Sequence, residues 1–427
     1  MRQSPPDRVL LLGADYYGTL AAARAYGKRG IKVVMADENK RARALFSRHV
    51  GEKLVHPPLS EPQALVDWLV AWGEQHPGTL LYPPNDHLAW LFAAHRDRLS
   101  QAFLLYSPTE DAIITLLDKK RLHDVCADPD VAIDVPETRV LGELGADSPL
   151  AKELEFPVLL KPRTQVFLES GIKGFIVQDH TTLASELARY KSLVKFNRVL
   201  IDRHPDVAEP MVQQYLTAAE TSIFSVSGFV AKDGSIVARA AMKVLQRPRK
   251  VGIGLCFEGR AIEPVLVEKL SALCKRIGYY GTFESEFIAD GDKRLLIDFN
   301  PRFYSQMGFD VARGAALPMM VWHAACGDDS ALSAEMDRAR SWKATGQEVY
   351  CHKTMLDLVL TLQGLSGQMS KDDVRHWRRW YADHQPAVTD AVRDPDDRMP
   401  AVIDTAQWVQ VFARHPRSFV RSFVLNR

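Results

Sequence analysis

Apolar residues follow two spacings along this chain, and the spacings mark out its elements. Arg8-Val-Leu-Leu-Leu-Gly13 is a short unbroken apolar run of the kind buried on both faces of a parallel sheet, and Gly30-Ile-Lys-Val-Val-Met-Ala36 is a second. Between them the helical pattern from about Thr19 to Arg29 predicts a crossover helix, which closes a β-α-β unit. Helices near Gln63 to Gln75 and His87 to Leu99 flank another strand, Thr79-Leu-Leu-Tyr82. A helix starting near Thr109, an N-cap followed by Glu110 and Asp111, is expected to carry Leu116-Leu-Asp-Lys-Lys-Arg-Leu122. Strands follow at Phe156 to Pro162, Met211 to Leu216, Ser222 to Val230, Phe283 to Ala289 and Leu295 to Arg302.

The last two strands carry the most chemistry. Asp290-Gly-Asp-Lys-Arg294 between them is a hairpin signal. Alternate residues of a strand share a face, so a three-residue loop centred on Asp292 sets Glu286 opposite Asp298 and Glu284 opposite Asn300. Like charges across a ladder are destabilising, so this face needs a cation. Hard oxygen ligands suit magnesium, which is usually completed by water and substrate phosphates. Arg302 stands at the rim with a planar fork matched to phosphate or carboxylate. An isolated hairpin of this composition is more often a surface pair with its acids in water.

Upstream segments shift that balance. Phe156-Pro-Val-Leu-Leu-Lys-Pro162 is an apolar strand ending in Lys161, a side chain that either snorkels to solvent or meets an anion. The loop Ser170-Gly-Ile-Lys-Gly174 has glycines that let backbone approach a ligand. Met211-Val-Gln-Gln-Tyr-Leu216 runs into a polar turn and Glu220.

The order of these segments resembles the ATP-grasp superfamily over roughly residues 9 to 327. The resemblance rests on Asp118-Lys119, Pro157-Val-Leu-Leu-Lys161, Gly171 to Gly174, Gln213-Gln-Tyr-Leu216, and Glu286 with Asp298-Phe-Asn-Pro-Arg302. Each piece is weak alone; six in one order are strong. Val135-Pro-Glu-Thr138 is similar to the carbamoyl-phosphate-synthetase-like branch, which includes D-aspartate ligase.

The resemblance implies an α/β chain with the α+β ATP-grasp fold. It would have an N-terminal parallel-sheet domain at 1–108, an ATP-grasp domain at 109–327 with its lid at about 135–215, and a mainly helical C-terminal extension at 328–427. It implies ATP and magnesium, or manganese, as cofactors. Lys119 and Lys161 would hold phosphates, with Lys120 a competing reading of the first. Gly171 and Gly174 would belong to the lid. Gln213, Gln214 and Leu216 would line the adenine slot, with Glu220 near the ribose. Glu286, Asp298 and Asn300 would bind the metal, and Arg302 would steady the transferred phosphoryl group. Lys243, in the basic stretch Arg239 to Lys250, is a further phosphate candidate, although such a run is more often a solvated face.

Three features depart from the family pattern. Asp298 stands where glutamate is commoner, and Gln214 where a carboxylate is common. The lid has few glycines, and its apolar Val166-Phe-Leu168 either closes on a substrate or packs. The implied activity is a carboxylate-amine ligase working through an acyl phosphate and releasing ADP and phosphate. A non-catalytic ATP-binding regulatory module, a kinase and a carboxylase are the alternatives.

Composition narrows the partners. Lys plus Arg number 54 against 53 Asp plus Glu, a net +1, so no global field argues for nucleic acid or a membrane; the small-molecule carboxylate and amine substrates are what the resemblance implies, and a homodimer is open. Cys126, Cys256, Cys274, Cys326 and Cys351 show no paired ligand spacing and are expected as reduced thiols of a cytoplasmic protein. Met1 to Arg8 lacks an apolar signal core, and no run reaches a membrane span. Gly13-Ala-Asp-Tyr-Tyr-Gly18 lacks the full dinucleotide fingerprint; it closes a tight turn or contributes to an acceptor-substrate site. Asn85, Asp86 and His87, at a strand exit, are substrate contacts or simply a helix cap with an exposed histidine. After Gly327 the chain reads helical in patches. Phe412 to Leu425 mixes arginine with aromatics, as in a membrane-surface helix or a helix packed on the core.

Overall fold

A computed structural model describes residues 6–140, 153–247, 252–385 and 387–424. The first apolar runs form a five-stranded parallel sheet of β1 (Arg8–Leu12), β2 (Lys32–Ala36), β3 (Val50–Leu54), β4 (Leu80–Leu81) and β5 (Leu104–Leu105), in the order β3-β2-β1-β4-β5. Val9 to Leu12 are at most 1% exposed because helices cover both faces, which is why these positions read as continuous apolar runs. The crossover helix is Tyr17–Lys28.

Two expected helices are each broken in two. The one expected from His87 to Leu99 divides at His95 into Asp86–Ala94 and Arg96–Ala102, with Asn85 capping the first through its side chain. The one from Thr109 ends at Leu117, and a new helix, Lys119–Cys126, starts under an Asp118 cap. Asp118 leaves helical geometry because its carboxylate takes the N–H groups of Lys120 and Arg121.

A four-stranded antiparallel sheet follows: β6 (Thr138–Val140), β7 (Val158–Pro162), β8 (Phe175–Val177) and β9 (Pro210–Gln214), in the order β6-β9-β7-β8. The helix His180–Leu193 covers it with Leu183 and Tyr190 against Val158, Leu160, Val177 and Val212. Val166 and Phe167 are buried, with Phe167 edge-on to Trp90, so this apolar part of the lid loop packs.

The third sheet comprises β10 (Ile223–Val230), β11 (Ile236–Arg247), β12 (Ile253–Arg260), β13 (Gly281–Asp290), β14 (Lys293–Asn300), β15 (Val349–Cys351) and β16 (Val388–Asp390), in the order β14-β13-β10-β11-β12-β15-β16. The β13-β14 hairpin pairs Glu284 with Asn300 and Glu286 with Asp298. The expected three-residue loop is absent. Asp290 pairs with Lys293 across a two-residue turn, and one irregularity beyond Phe287 restores the offset, so a bulge achieves the same register. The basic stretch is part of β11, where Lys243 is buried and Arg239 donates to the carbonyls of Arg313 and Ala339, so that part is not a solvated face; positions 248–250 lie outside the described residues.

After Gly327 the chain is largely helical, with helices Asp329–Ser341, Lys353–Ser366, Lys371–Asp383 and Met399–Arg414, yet it also supplies β15 and β16 to the third sheet. Phe419 is buried and stacks on Phe423, while Phe412 stays half exposed; position 425 lies outside the described residues. All five cysteines are free thiols. Among the described residues no helix is long and apolar enough to cross a membrane.

Candidate active site

A cavity of about 450 Å³ is walled by the second sheet on one side and by β13 and β14 on the other, and it gathers most of the residues singled out above. Lys119, Lys161, Gln213, Gln214, Leu216, Glu220, Glu286 and Asp298 line it.

Lys119 enters because Asp118 starts a helix one residue earlier. Asp118 is fully buried and its carboxylate takes Arg163 Nε at 3.0 Å and Nη2 at 2.6 Å, while the Lys119 N–H donates to the Arg163 carbonyl at 2.8 Å. The helix start is thus tied to the end of β7, and Lys119 Nζ reaches Asp298 at 2.5 Å. Lys120, the competing candidate, pairs with Asp124 at 2.6 Å outside the cavity. Arg163 went unnoticed in the sequence. Its signal was a second basic residue two positions after Lys161, just past the end of β7.

Lys161 extends from β7 and donates to Gln213 Oε1 at 2.7 Å, while Gln213 Nε2 donates to the Thr138 hydroxyl at 3.1 Å. Lys161, which can only donate, takes the amide oxygen and leaves the NH2 for the Thr138 hydroxyl. The Gln213 amide, on the cavity wall, is engaged with Lys161. With no carboxylate in direct contact, burial and then the Lys119 charge push the Lys161 ammonium down to about 7, against a partial offset from Asp298.

The carboxylates are neutralised from within the protein. Lys243 Nζ meets Glu286 Oε1 at 2.5 Å, as Lys119 meets Asp298. The cation that sheet chemistry required is thus supplied by two lysines. Burial alone would raise the Asp298 carboxyl, but Lys119, reinforced by Lys161 and Arg302, holds it below the ordinary value. Glu284 lies deeper, and burial followed by repulsion from Glu286 pushes it up to about 7.

Asn300 is 7% exposed and is not on the cavity wall; its Oδ1 accepts Arg302 Nη2 at 2.6 Å. Arg302 Nε donates to Asp86 at 2.8 Å. Of the strand-exit residues, Asn85 is a helix cap, Asp86 holds Arg302, and His87 is not exposed: its Nδ1 accepts the Phe167 N–H at 2.8 Å. A second cavity of about 370 Å³ opens beside Asn85, with Gly13, Tyr16 and Asp37 at the carboxyl ends of β1 and β2.

The lid glycines do not line the main cavity. Gly174, at φ 141°, has room for no side chain: a Cβ would sit 2.8 Å from the Leu160 carbonyl oxygen and from Lys161 Cβ. It lets the chain press against β7 beside Lys161 rather than against a ligand. Gly171 has open space around it.

Glu286 and Asp298 suit a hard divalent ion: two opposed carboxylates, each held by an ammonium that a nucleotide phosphate would draw away. Among the described residues there is no cluster of three or more His, Cys, Asp or Glu that could hold a metal ion.

No family model matches the sequence, and no curated protein matches it. Solved structures do. A biotin carboxylase from Campylobacter jejuni, in complex with a β,γ-ATP ligand, superposes with a TM-score of 0.59 at 17% identity, over 75% of this chain and 71% of that one. An L-amino acid ligase from Bacillus licheniformis gives 0.55 at 11% identity, over 79% and 78%. The biotin carboxylase domain of a Hydrogenobacter thermophilus 2-oxoglutarate carboxylase, a dimer bound to MgADP, ADP and bicarbonate, gives 0.57 at 18% identity, over 75% and 70%. Sheet order, hairpin register and these superpositions agree: the chain has the ATP-grasp fold.

Proposed function

We propose that this protein is an ATP- and magnesium-dependent ligase that activates a carboxylate as an acyl phosphate and joins it to an amine, releasing ADP and phosphate. The observation that carries this reading is the pair of carboxylates Glu286 and Asp298, opposed across a hairpin on a cavity wall, each held at 2.5 Å by a lysine that phosphate can recruit. Lys161, Lys119 and Lys243 neutralise the nucleotide phosphates, and Arg302, anchored by Asp86, steadies the moving phosphoryl group. Glu286 and Asp298, with Asn300 beside them, would hold the magnesium, which would supply charge neutralisation on the phosphates. Leu216 and the Gln213 to Leu216 segment border the adenine, and Glu220 lies on the ribose side. The lid near β8 shields the acyl phosphate from water. The acceptor enters through the second cavity, where Asn85 adjoins the Asp86 that holds Arg302.

The solved neighbours support this class: one is a ligase of amino acids, another binds MgADP. Two of them are biotin carboxylases, which favours carboxylation as the second reading. The deciding experiment measures ATP turnover against paired panels of carboxylic acids and amines, with mass detection of the joined product. ADP release that needs both an acid and an amine supports the ligase. Formation of AMP and pyrophosphate rules out the acyl-phosphate route, and dependence on bicarbonate alone selects carboxylation.

A further inference from the structure

The helix Met399–Arg414 is built the wrong way round for the outside of a protein. Its one acid, Asp404, faces inward at 0% exposure, with Oδ1 2.6 Å from Arg43 Nη1 and Oδ2 3.2 Å from His352 Nε2, and Gln407 Nε2 donates inward to Asp15 at 2.9 Å. Its apolar residues face out. Met399, Val402, Val409 and Phe412 recur at helical spacing on one side and are 50% to 64% exposed. Thr405, Ala406 and Ala413 fill the same exposed side, so the outer face carries no charge. Five of the twelve large apolar residues that the described chain leaves exposed lie on this one helix. Single exposed apolar residues need no explanation, but a row of them on one helix marks a contact surface.

The charge around that row says what it meets. Residues 405–427 contain Arg414, Arg417, Arg421 and Arg427 and no Asp or Glu, in a chain whose net charge is +1. Arg414 and Arg417 are exposed where the helix ends. The segment beyond is held to the helix by aromatic contacts, Phe412 to Phe419 and Trp408 to Phe423, each with ring centroids 5.3 Å apart. An uncharged apolar face beside unopposed arginines matches the interface of an anionic bilayer, where apolar side chains enter the headgroup boundary and guanidinium groups meet lipid phosphates. A second copy of the chain fits less well: a face about 24 Å long and one helix, about 10 Å, wide falls well short of the roughly 800 Å² per partner of a stable dimer. We propose that this helix docks the protein on the surface of an anionic lipid membrane, with Val402, Val409 and Phe412 in the headgroup boundary and Arg414 and Arg417 on the lipid headgroups. The inference stands apart from the ligase reading.

Co-sedimentation of the full chain with vesicles tests it. Phosphatidylcholine vesicles containing about one-third phosphatidylglycerol should pellet the protein, pure phosphatidylcholine should bind it about tenfold more weakly, and raising salt from about 0.1 M to about 0.5 M should release it. Arg414→Gln combined with Arg417→Gln should weaken partitioning about twentyfold, roughly fivefold for each arginine. Val409→Asp, which sets a charge in the apolar row, should weaken it by about tenfold or more. These three positions are exposed, so the apo melting temperature of each variant should stay near that of the wild type. The wild-type and arginine arms decide even where Val409→Asp fails to fold. No pelleting with anionic vesicles, equal pelleting with neutral ones, or undiminished partitioning in the double arginine variant overturns the proposal. So does sedimentation velocity without lipid that finds a dimer in the wild type and a monomer in Val409→Asp, because the row is then a contact between copies.

Discussion

Lys161 should make ATP binding proton-linked. It lies in the cavity wall with an amide oxygen for a partner and another lysine nearby, and its ammonium is lowered to about 7; Lys119, by contrast, is kept above its ordinary value by Asp298 despite burial. Nucleotide phosphates at Lys161 would favour the charged form and return it toward its ordinary value near 10.4. Binding above neutrality therefore takes up a proton, and affinity falls as pH rises through and beyond 7. With the free lysine at about 7, the loss is about tenfold at pH 8 and about a hundredfold at pH 9, or about 1.4 and 2.7 kcal/mol, with none below pH 6. Calorimetric titration at pH 8 in buffers of different ionisation heat should show close to one proton taken up. Lys161→Arg should flatten the profile between pH 7.5 and 9, because a guanidinium stays charged. Lys161→Ala should fold, bind weakly and show no slope. Absence of proton uptake in the wild type, or an unchanged slope in Lys161→Arg, would refute the placement of phosphate at this lysine.

Glu286→Gln should lower apo stability, by about 1–3 kcal/mol in a urea titration, because it strands the buried Lys243 ammonium; unchanged stability would mean the pair contributes nothing. Asp118→Ala removes a helix cap and leaves Arg163 without a buried carboxylate, so a loss of about 3–5 kcal/mol is expected, with ATP affinity weakened in whatever still folds; a variant of wild-type stability contradicts the account of that helix start. Gly174→Ala should cost about 1–3 kcal/mol and disturb β7 beside Lys161, seen as a lower melting temperature with weaker nucleotide binding; a neutral result would show that the lid shifts without strain.

The parts of the fold legible in the sequence are those set by local alternation. Opposite faces of β13 and β14 follow from a period of two, so the pairing of Glu286 with Asp298 was readable even though the turn was one residue shorter and a bulge made up the difference. The lysines that neutralise those acids were not readable as their partners. Lys119 comes from a helix start 179 positions away and Lys243 from a strand 43 positions away, and no local pattern encodes such closure. The same holds for Gln213, whose place on the cavity wall was expected but whose amide donates to Thr138, 75 residues earlier. Helix ends were misjudged at His95 and Asp118, where a local break outweighed a continuous apolar period.

The seven-stranded sheet has a consequence for how the chain is made. β12 meets its outer neighbour only when Val349–Cys351 arrives, some ninety positions later, and that strand is covered in turn by Val388–Asp390. Until then a nascent chain would carry eight residues of β12 with an unpaired edge at the far side of the sheet from β13 and β14, open to pairing with another chain. Synthesis order thus makes the segment from Val349 onward an edge guard for this sheet, and a chain released before residue 349 would tend to associate through β12.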